Sequence, residues 1–558
     1  MRKILLATYL MAGLTALAQT AQFKYFKYEG KDARFDMPID RSCQYLNPVV
    51  SGYYPDPSVC RVGDSYYLVN STFGYFPGVP IFKSNDLVNW QQIGHVLDRE
   101  SQLNLKGADI SQGGIYAPQI SYNPKNKTYY MTTMNMTTYQ VFYCKSKNPE
   151  EGWSEPIQMR HGGMDTSFFF DTDGRAYVVY NKRPMNGQQY EGQMAIHMNE
   201  FDWKADSVKW ETHELTTGSK CINNPTCIEG PHMYKVGKYY YLMCAEQGTG
   251  FTHSEVIFRS KSPYGPWEDC PHNPILTQRD LTDDNRTDAV TCAGHADLVQ
   301  AKDGKWWAVF LGCRPYKIDR KTWEPDYYNL GRETFLLPVE WNDGWPIILE
   351  QGKAVATVVN KPELQPKDNK VTGNYTFTDR FDTDKLNLCW IFLRNPKTAN
   401  YDWTSKKGIT LKADTTNIYG ADSPTALFYR QKNLTFSAET EVSFSPKDER
   451  QFAGLAIFQN EKNNFVLGKT LQDGMPVLTL TRTEAGQHTT IATAPLDNDS
   501  PVRLKVEGNG RYYSFYYAIA NGDWQTLAQG CDGQQLTTKV AGGFVGTTIG
   551  LYITSKKQ

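Results

Sequence analysis

The chain has 558 residues and a formal net charge of -1. That length implies at least two domains, and that charge excludes a surface built for nucleic acid or an anionic membrane. Aromatic residues make up 13%, with 35 Tyr and 13 Trp, an excess that strand propensity largely explains and that sugar stacking would also use.

The opening "MRKILLATYLMAGLTALAQT" has a basic start, an apolar run and a small-x-small site at Ala16-Leu17-Ala18. It reads as a secretory signal peptide over residues 1–18, cleaved after Ala18, so export to the periplasm or the medium is expected. No cysteine follows that site to carry a lipid, and no later run approaches the ~20 apolar residues of a membrane span. Residues 19–44 are read as an N-terminal segment outside either domain. Most of the eleven cysteines sit in apolar runs and read as small buried hydrophobes. Cys221 and Cys227 alone lie close together in a loop-like stretch, a spacing that permits a disulfide without requiring one.

From residue 45 to 355 one pattern recurs five times. "DPSVCRVGDSYYLVN" from Asp56 is followed by related stretches starting at Ala117, Asp165, Glu229 and His295. Each has a small or polar lead residue, a short apolar strand, a turn rich in Gly, Asn, Asp or Lys, and a second strand opening on aromatics. The leads are 48 to 66 residues apart, and Trp90, Trp153 and Trp267 mark similar outer-strand positions. Sheet units at this period predict a five-bladed β-propeller, whose innermost strands converge on one axis. Asp56, Asp165, Glu229 and His295 are then expected around one axial opening. After a polar, proline-containing linker at 356–375, alternating runs over 376–558 predict a β-sandwich of jelly-roll type, which makes the chain all-β.

Three carboxylates at one pocket suit glycosidic hydrolysis, which needs one protonated carboxyl and one ionised carboxyl. Asp56 and Asp165, taken alone, read more readily as turn caps than as reactive groups. Glu229, between Ile228 and Gly230-Pro231, is a poor turn former, so a functional burial weighs more heavily there. The chain has no HExxH, no paired CxxC, no phosphate-binding glycine loop and no G-x-S-x-G elbow.

The stretches "NPVVSGYYPDPSVCRVGDSYYLVNSTFGYFPGVPIFKSNDLVNW", "GMDTSFFFDTDG", "IEGPHMYK", "GHADLV" and "LGRETFLLPVEWNDGWP" resemble glycoside hydrolase family 43. "WIFLRNP" and "GFVGTTIGLYITS" look like the sandwich of its β-xylosidase-like branch. The resemblance implies Asp56 as general base, Glu229 as general acid, and Asp165 as the carboxylate that orients that acid and raises its pKa. It implies Arg314 as a contact to sugar hydroxyls and His295 as the axial histidine beside substrate or a bound ion, hence a candidate metal ligand. Tyr75, Phe76, Tyr116 and Phe544 are expected in the sugar-binding wall. No cofactor is required, although a structural Ca2+ near the axis is compatible with the family. The implied activity is exo-acting, inverting release of β-D-xylosyl or α-L-arabinofuranosyl residues from plant cell-wall oligosaccharides such as xylan, arabinoxylan or arabinan fragments. An arabinanase- or galactanase-type activity and a non-catalytic carbohydrate-binding propeller are the competing readings.

Overall fold

Five antiparallel sheets follow one another along the chain, each from a contiguous stretch of sequence. The computed structural model describes residues 19–556 apart from 161, 282–285, 320–325, 365–366 and 368–369, so the expected signal peptide lies outside the described residues. The innermost strands of blades I to V are Ser58–Val62, Ile115–Asn123, Met164–Phe170, Glu229–Val236 and Thr291–Gln300. The second strands carry unbroken buried runs such as Tyr177 to Tyr180, Tyr240 to Ala245 and Trp307 to Cys313. Both faces of a middle strand meet neighbouring blades, so the two-residue alternation of a half-exposed strand is lost. The outermost strand of blade III, Ser207–Thr216, contains no buried residue.

All five blades begin alike. Asp56, Ala117, Asp165, Gly230 and His295 have φ of 51°, 29°, 52°, 57° and 50°, left-handed values that are rare outside glycine. In blades II to V this residue coincides with a register shift against the second strand. Such a bulge turns the following side chains off the ladder. Next comes Pro57, Pro118, Thr166, Pro231 or Ala296, and then Ser58, Gln119, Ser167, His232 or Asp297. The place equivalent to Asp56 in blade IV is therefore Gly230, and Glu229 stands one residue ahead of the repeat position expected for it.

The third residues of four of these leads, with Tyr234 in blade IV, link the blades into a ring. Ser58 Oγ accepts from the Ile120 N–H at 3.1 Å, and Gln119 Oε1 accepts from the Phe168 N–H at 3.1 Å. Ser167 Oγ donates to the Pro231 carbonyl at 2.5 Å. Tyr234 Oη accepts from the Leu298 N–H at 2.9 Å and donates to Asp297 Oδ1 at 2.7 Å. Asp297 Oδ2 closes the circle on blade I by accepting from Ser58 Oγ at 2.8 Å and the Val59 N–H at 2.9 Å. Each blade is contiguous, so this ring does the work that strand exchange does in other closed folds. Asn47 adds a clasp outside it, exchanging two hydrogen bonds with the Leu336 backbone of blade V.

The sandwich begins before the propeller. Thr20–Gly30, within the segment left outside both domains in the sequence reading, pairs with Thr435–Ser443, Ile409–Lys412 and Thr376–Asp379 in an eight-stranded sheet. A bulge between Phe23 and Phe26 shifts its alternation and still buries Ala21, Phe23, Phe26 and Tyr28. A six-stranded sheet supplies the second layer. The described part of the 356–375 linker is docked, with Val359, Leu364 and Val371 buried in the core that includes blades I and V. All eleven cysteines are free thiols, Cys221 and Cys227 included.

One apolar cluster spans both domains: Tyr53, Phe73, Tyr75 and Ile110 of the propeller pack with Leu393, Phe428, Phe458 and Tyr552 of the sandwich. The backbones also touch. A Cβ on Gly546 would meet the Leu330 carbonyl at 2.3 Å, so only glycine lets the Gly542–Thr547 loop lie against the chain just before Arg332. The sandwich is thereby held over one end of the propeller axis.

Candidate active site

Asp56, Asp165, Glu229 and His295 come together at that end. Ligand atoms of Asp165, Glu229 and His295 all lie within 4.8 Å of one another, and His295 Nδ1 is 4.0 Å from Asp56 Oδ1. The left-handed lead residues explain the convergence, because each re-aims a side chain from its blade toward the axis. Gly230 is required beside them: at φ 57°, a Cβ there would sit 3.0 Å from His295 Nε2.

Asp56 is built to stay ionised. Burial pushes its carboxyl up, but Arg332, His295 and a hydrogen bond from Ser71 outweigh burial and hold it below the usual carboxylate range. Arg332 Nη1 lies 3.2 Å from Oδ1, and Ser71 Oγ donates to Oδ2 at 2.6 Å while accepting the Ala117 N–H at 2.7 Å. Ser71 thus fixes the carboxylate of blade I against the backbone of blade II.

Glu229 is in the opposite state. Burial raises its pKa well above the ordinary glutamate value, and the charges of Asp165 and Asp56 add to the rise against a smaller opposing effect of Arg332. Both effects favour the protonated form of its carboxyl. Asp165 is also raised, by burial first and then by Asp56, with His295 and the Gly230 N–H at 3.2 Å opposing. One ionised carboxylate and one protonated carboxyl at the same opening can respectively activate a water and protonate a leaving oxygen. Because Asp165 raises Glu229, an Asp165→Asn variant is expected to move the alkaline limb of the pH–rate profile to lower pH and leave the acid limb, set by Asp56, at or below its present position. Measuring kcat/KM against pH checks this; an unmoved alkaline limb would remove Asp165 from that role.

Tyr116 and Phe544, both half-buried, form an aromatic wall beside the acids, backed by the buried Phe73. Phe73 stacks on Phe544 at 5.8 Å, and Tyr116 meets Phe73 at 5.2 Å and Phe544 at 5.8 Å edge-on. The Arg332 guanidinium lies 5.2 Å from the Phe544 ring and 5.9 Å from that of Phe73. Phe544 comes from the sandwich and is anchored by its N–H on the Ser111 carbonyl at 3.0 Å, while Tyr116 Oη donates to the Gln112 carbonyl at 2.6 Å.

Three expected sugar contacts lie elsewhere. Arg314 is 2% exposed, with Nε and Nη2 forked on Glu333 at 2.6 and 3.0 Å, Nη1 on Asp32 at 2.9 Å, and Nη2 also on the Lys432 carbonyl at 3.0 Å. With four of its five N–H donors engaged and its side chain buried, this guanidinium ties blade V to the sandwich; the arginine at the acids is Arg332. Tyr75 and Phe76 pair with Leu393 and Phe392 of the sandwich and are buried in the contact between domains. From this stretch Phe73, at φ 50° and 1% exposed, backs the wall from within the same contact.

The protein's own donors at the axis would supply only part of a calcium ion's coordination. His295, Asp165 and Glu229 offer one nitrogen and two carboxyls close enough to share an ion, and waters would have to supply most of the six to eight oxygens that Ca2+ takes. Deeper on the axis, the oxygens of Asp297 already serve Ser58, Val59 and Tyr234.

The two domains match known proteins in sequence and fold. Residues 45–346 match the model of glycosyl hydrolases family 43, and residues 378–558 match the β-xylosidase C-terminal concanavalin A-like domain. A non-reducing end α-L-arabinofuranosidase of Bacteroides ovatus is 36% identical over 92% of both chains. A xylosidase/arabinosidase of Butyrivibrio fibrisolvens is 35% identical over 91% of this chain and 95% of its own. The crystal structure of a family 43 protein retrieved from a capybara gut metagenome superposes with a TM-score of 0.88 at 37% identity, covering 96% of this chain and all of the other. With its propeller, its appended sandwich and its axial acids, this chain is a glycosidase belonging to glycosyl hydrolase family 43.

Proposed function

We propose that the protein is an exo-acting, inverting glycosidase that removes terminal β-D-xylosyl or α-L-arabinofuranosyl residues from hemicellulose-derived oligosaccharides. The observation that carries this reading is the split protonation of Asp56 and Glu229 at one opening, walled on one side by Phe544 from the sandwich. A wall lent by a second domain narrows the opening and favours chain ends over chain middles. The names of the relatives, α-L-arabinofuranosidase and xylosidase/arabinosidase, support a pentose as the released sugar. All three acids are in place, which disfavours a binding-only propeller. Incubation with aryl β-D-xyloside and aryl α-L-arabinofuranoside tests the assignment: release of the aryl group from at least one is expected, and release from neither would overturn it. Internal cleavage of linear arabinan or galactan would favour the arabinanase- or galactanase-type reading instead.

The leader-like residues 1–18 support export to the periplasm or the medium. The expected mature protein begins at Gln19, which intact-mass measurement on protein from the exported fraction checks.

A further inference from the structure

A cleft of about 900 Å3 lies between the outer strands of blade I and the sandwich. It is separate from the acids: the strand pairing of blade I places Lys83, Ser84 and Gln91 at the end of the blade opposite Asp56. Buried positive charge there lacks a counter-charge. Lys432 is 3% exposed, and its Nζ lies 3.4 and 3.5 Å from the Val371 and Lys370 carbonyls and 5.5 to 5.8 Å from the rings of Tyr54, Tyr375 and Tyr429. Behind it, fully buried Arg430 stacks on Tyr53 and Tyr54 and leaves Nε and Nη2 without an acceptor. Among the described residues neither cation has a carboxylate within ion-pair distance, although buried cations are ordinarily paired.

The lining of the cleft sets the kind of ligand it would take. Trp90, also 3% exposed, belongs to it, and its indole Nε1–H has no acceptor, as in the equivalent Trp153 and Trp267 of blades II and IV. The one acid among its described lining residues, Glu150, is already bound to Lys83 at 2.5 Å. The remaining lining carries Lys367, Lys370 and Lys385, the amides of Asn85, Gln92 and Asn387, and the ring of Phe377. Amides suit hydroxyls, an aromatic ring suits a C–H face, and an ammonium without a counter-charge suits a carboxylate. We propose that this cleft is a second carbohydrate site that binds a carboxylate-bearing sugar, a hexuronate, with the carboxylate on Lys432 and the hydroxyls on the amides.

The test is thermal-shift and calorimetric titration of the full chain with sodium glucuronate, xylose or inorganic phosphate at matched ionic strength. Glucuronate is expected to raise the Tm saturably, and xylose and phosphate are not. Lys432→Met should weaken glucuronate binding about tenfold or more while its unliganded Tm stays equal or rises, since replacing a buried charge by an apolar side chain of similar length is commonly neutral or better. Asn85→Ala, which removes an exposed lining amide, gives a second variant and should weaken binding less. Hydrolysis of the aryl pentosides should be unaffected by glucuronate. The proposal is overturned by an equal response to phosphate, by no saturable response, by wild-type affinity in Lys432→Met, or by competitive inhibition that places glucuronate at the acids.

Discussion

Glu229→Ala is expected to lower kcat on natural oligosaccharides by roughly 10³-fold or more, because their leaving alcohol departs only when protonated. On an aryl glycoside with a dinitrophenyl leaving group the loss should be far smaller, since that group leaves as the anion. Asp56→Ala should lose activity on both substrates alike, because water activation is needed whatever departs. The contrast follows from the site: burial and two neighbouring carboxylates keep Glu229 protonated, whereas Arg332, His295 and Ser71 keep Asp56 ionised. Steady-state kinetics of both variants on both substrates check it. Equal losses for Glu229→Ala on the two leaving groups would deny it the role of acid.

The second large effect is on stability. Asp297→Ala removes the acceptor shared by Ser58, Val59 N–H and Tyr234 where blade V meets blade I. Leaving three buried donors without partners costs about 3–5 kcal/mol at 1–3 kcal/mol each with partial rearrangement, a fall in Tm of roughly 5–10 °C for a domain of this size. Asp297→Asn keeps the shape and one acceptor oxygen, so its loss should be smaller. Hydrogen exchange should rise first in Ser58–Val62 and Thr291–Gln300, the two strands joined there. An alanine variant with wild-type Tm would show that the ring closes without Asp297.

The propeller was legible because its signal is repeated: a weak strand pattern gains weight when it returns five times with similar spacing. The acids were legible for the same reason, although Glu229 stands one residue before its repeat position. The proline of Pro57, Pro118 and Pro231 carries the true register, with Gly230 supplying the left-handed turn. The arginine was misplaced because Arg314 and Arg332 both adjoin strands of blade V. The pair Arg332-Glu333 inside an apolar strand contains the missing signal, since adjacent strand residues face opposite ways. Arg332 turns to Asp56, and Glu333 turns to Arg314. Tyr75 and Phe76 were read as sugar contacts because an aromatic cluster looks alike whether it meets a sugar or another domain. The first strand, Thr20–Gly30, gives no local sign that its partners lie some 400 residues away. Such pairing is set by tertiary contact rather than by local pattern.

The central claim is that Asp56 activates water while Glu229 protonates the leaving group, so the sugar is attacked once, from the face opposite the departing oxygen. Proton NMR of the first sugar released from an aryl pentoside, recorded before mutarotation, tests this most directly. The site predicts the inverted anomer, α-xylose from a β-xyloside or β-arabinofuranose from an α-arabinofuranoside. Release of the retained anomer would contradict the account, because it would require a covalent glycosyl intermediate in place of a water-activating base.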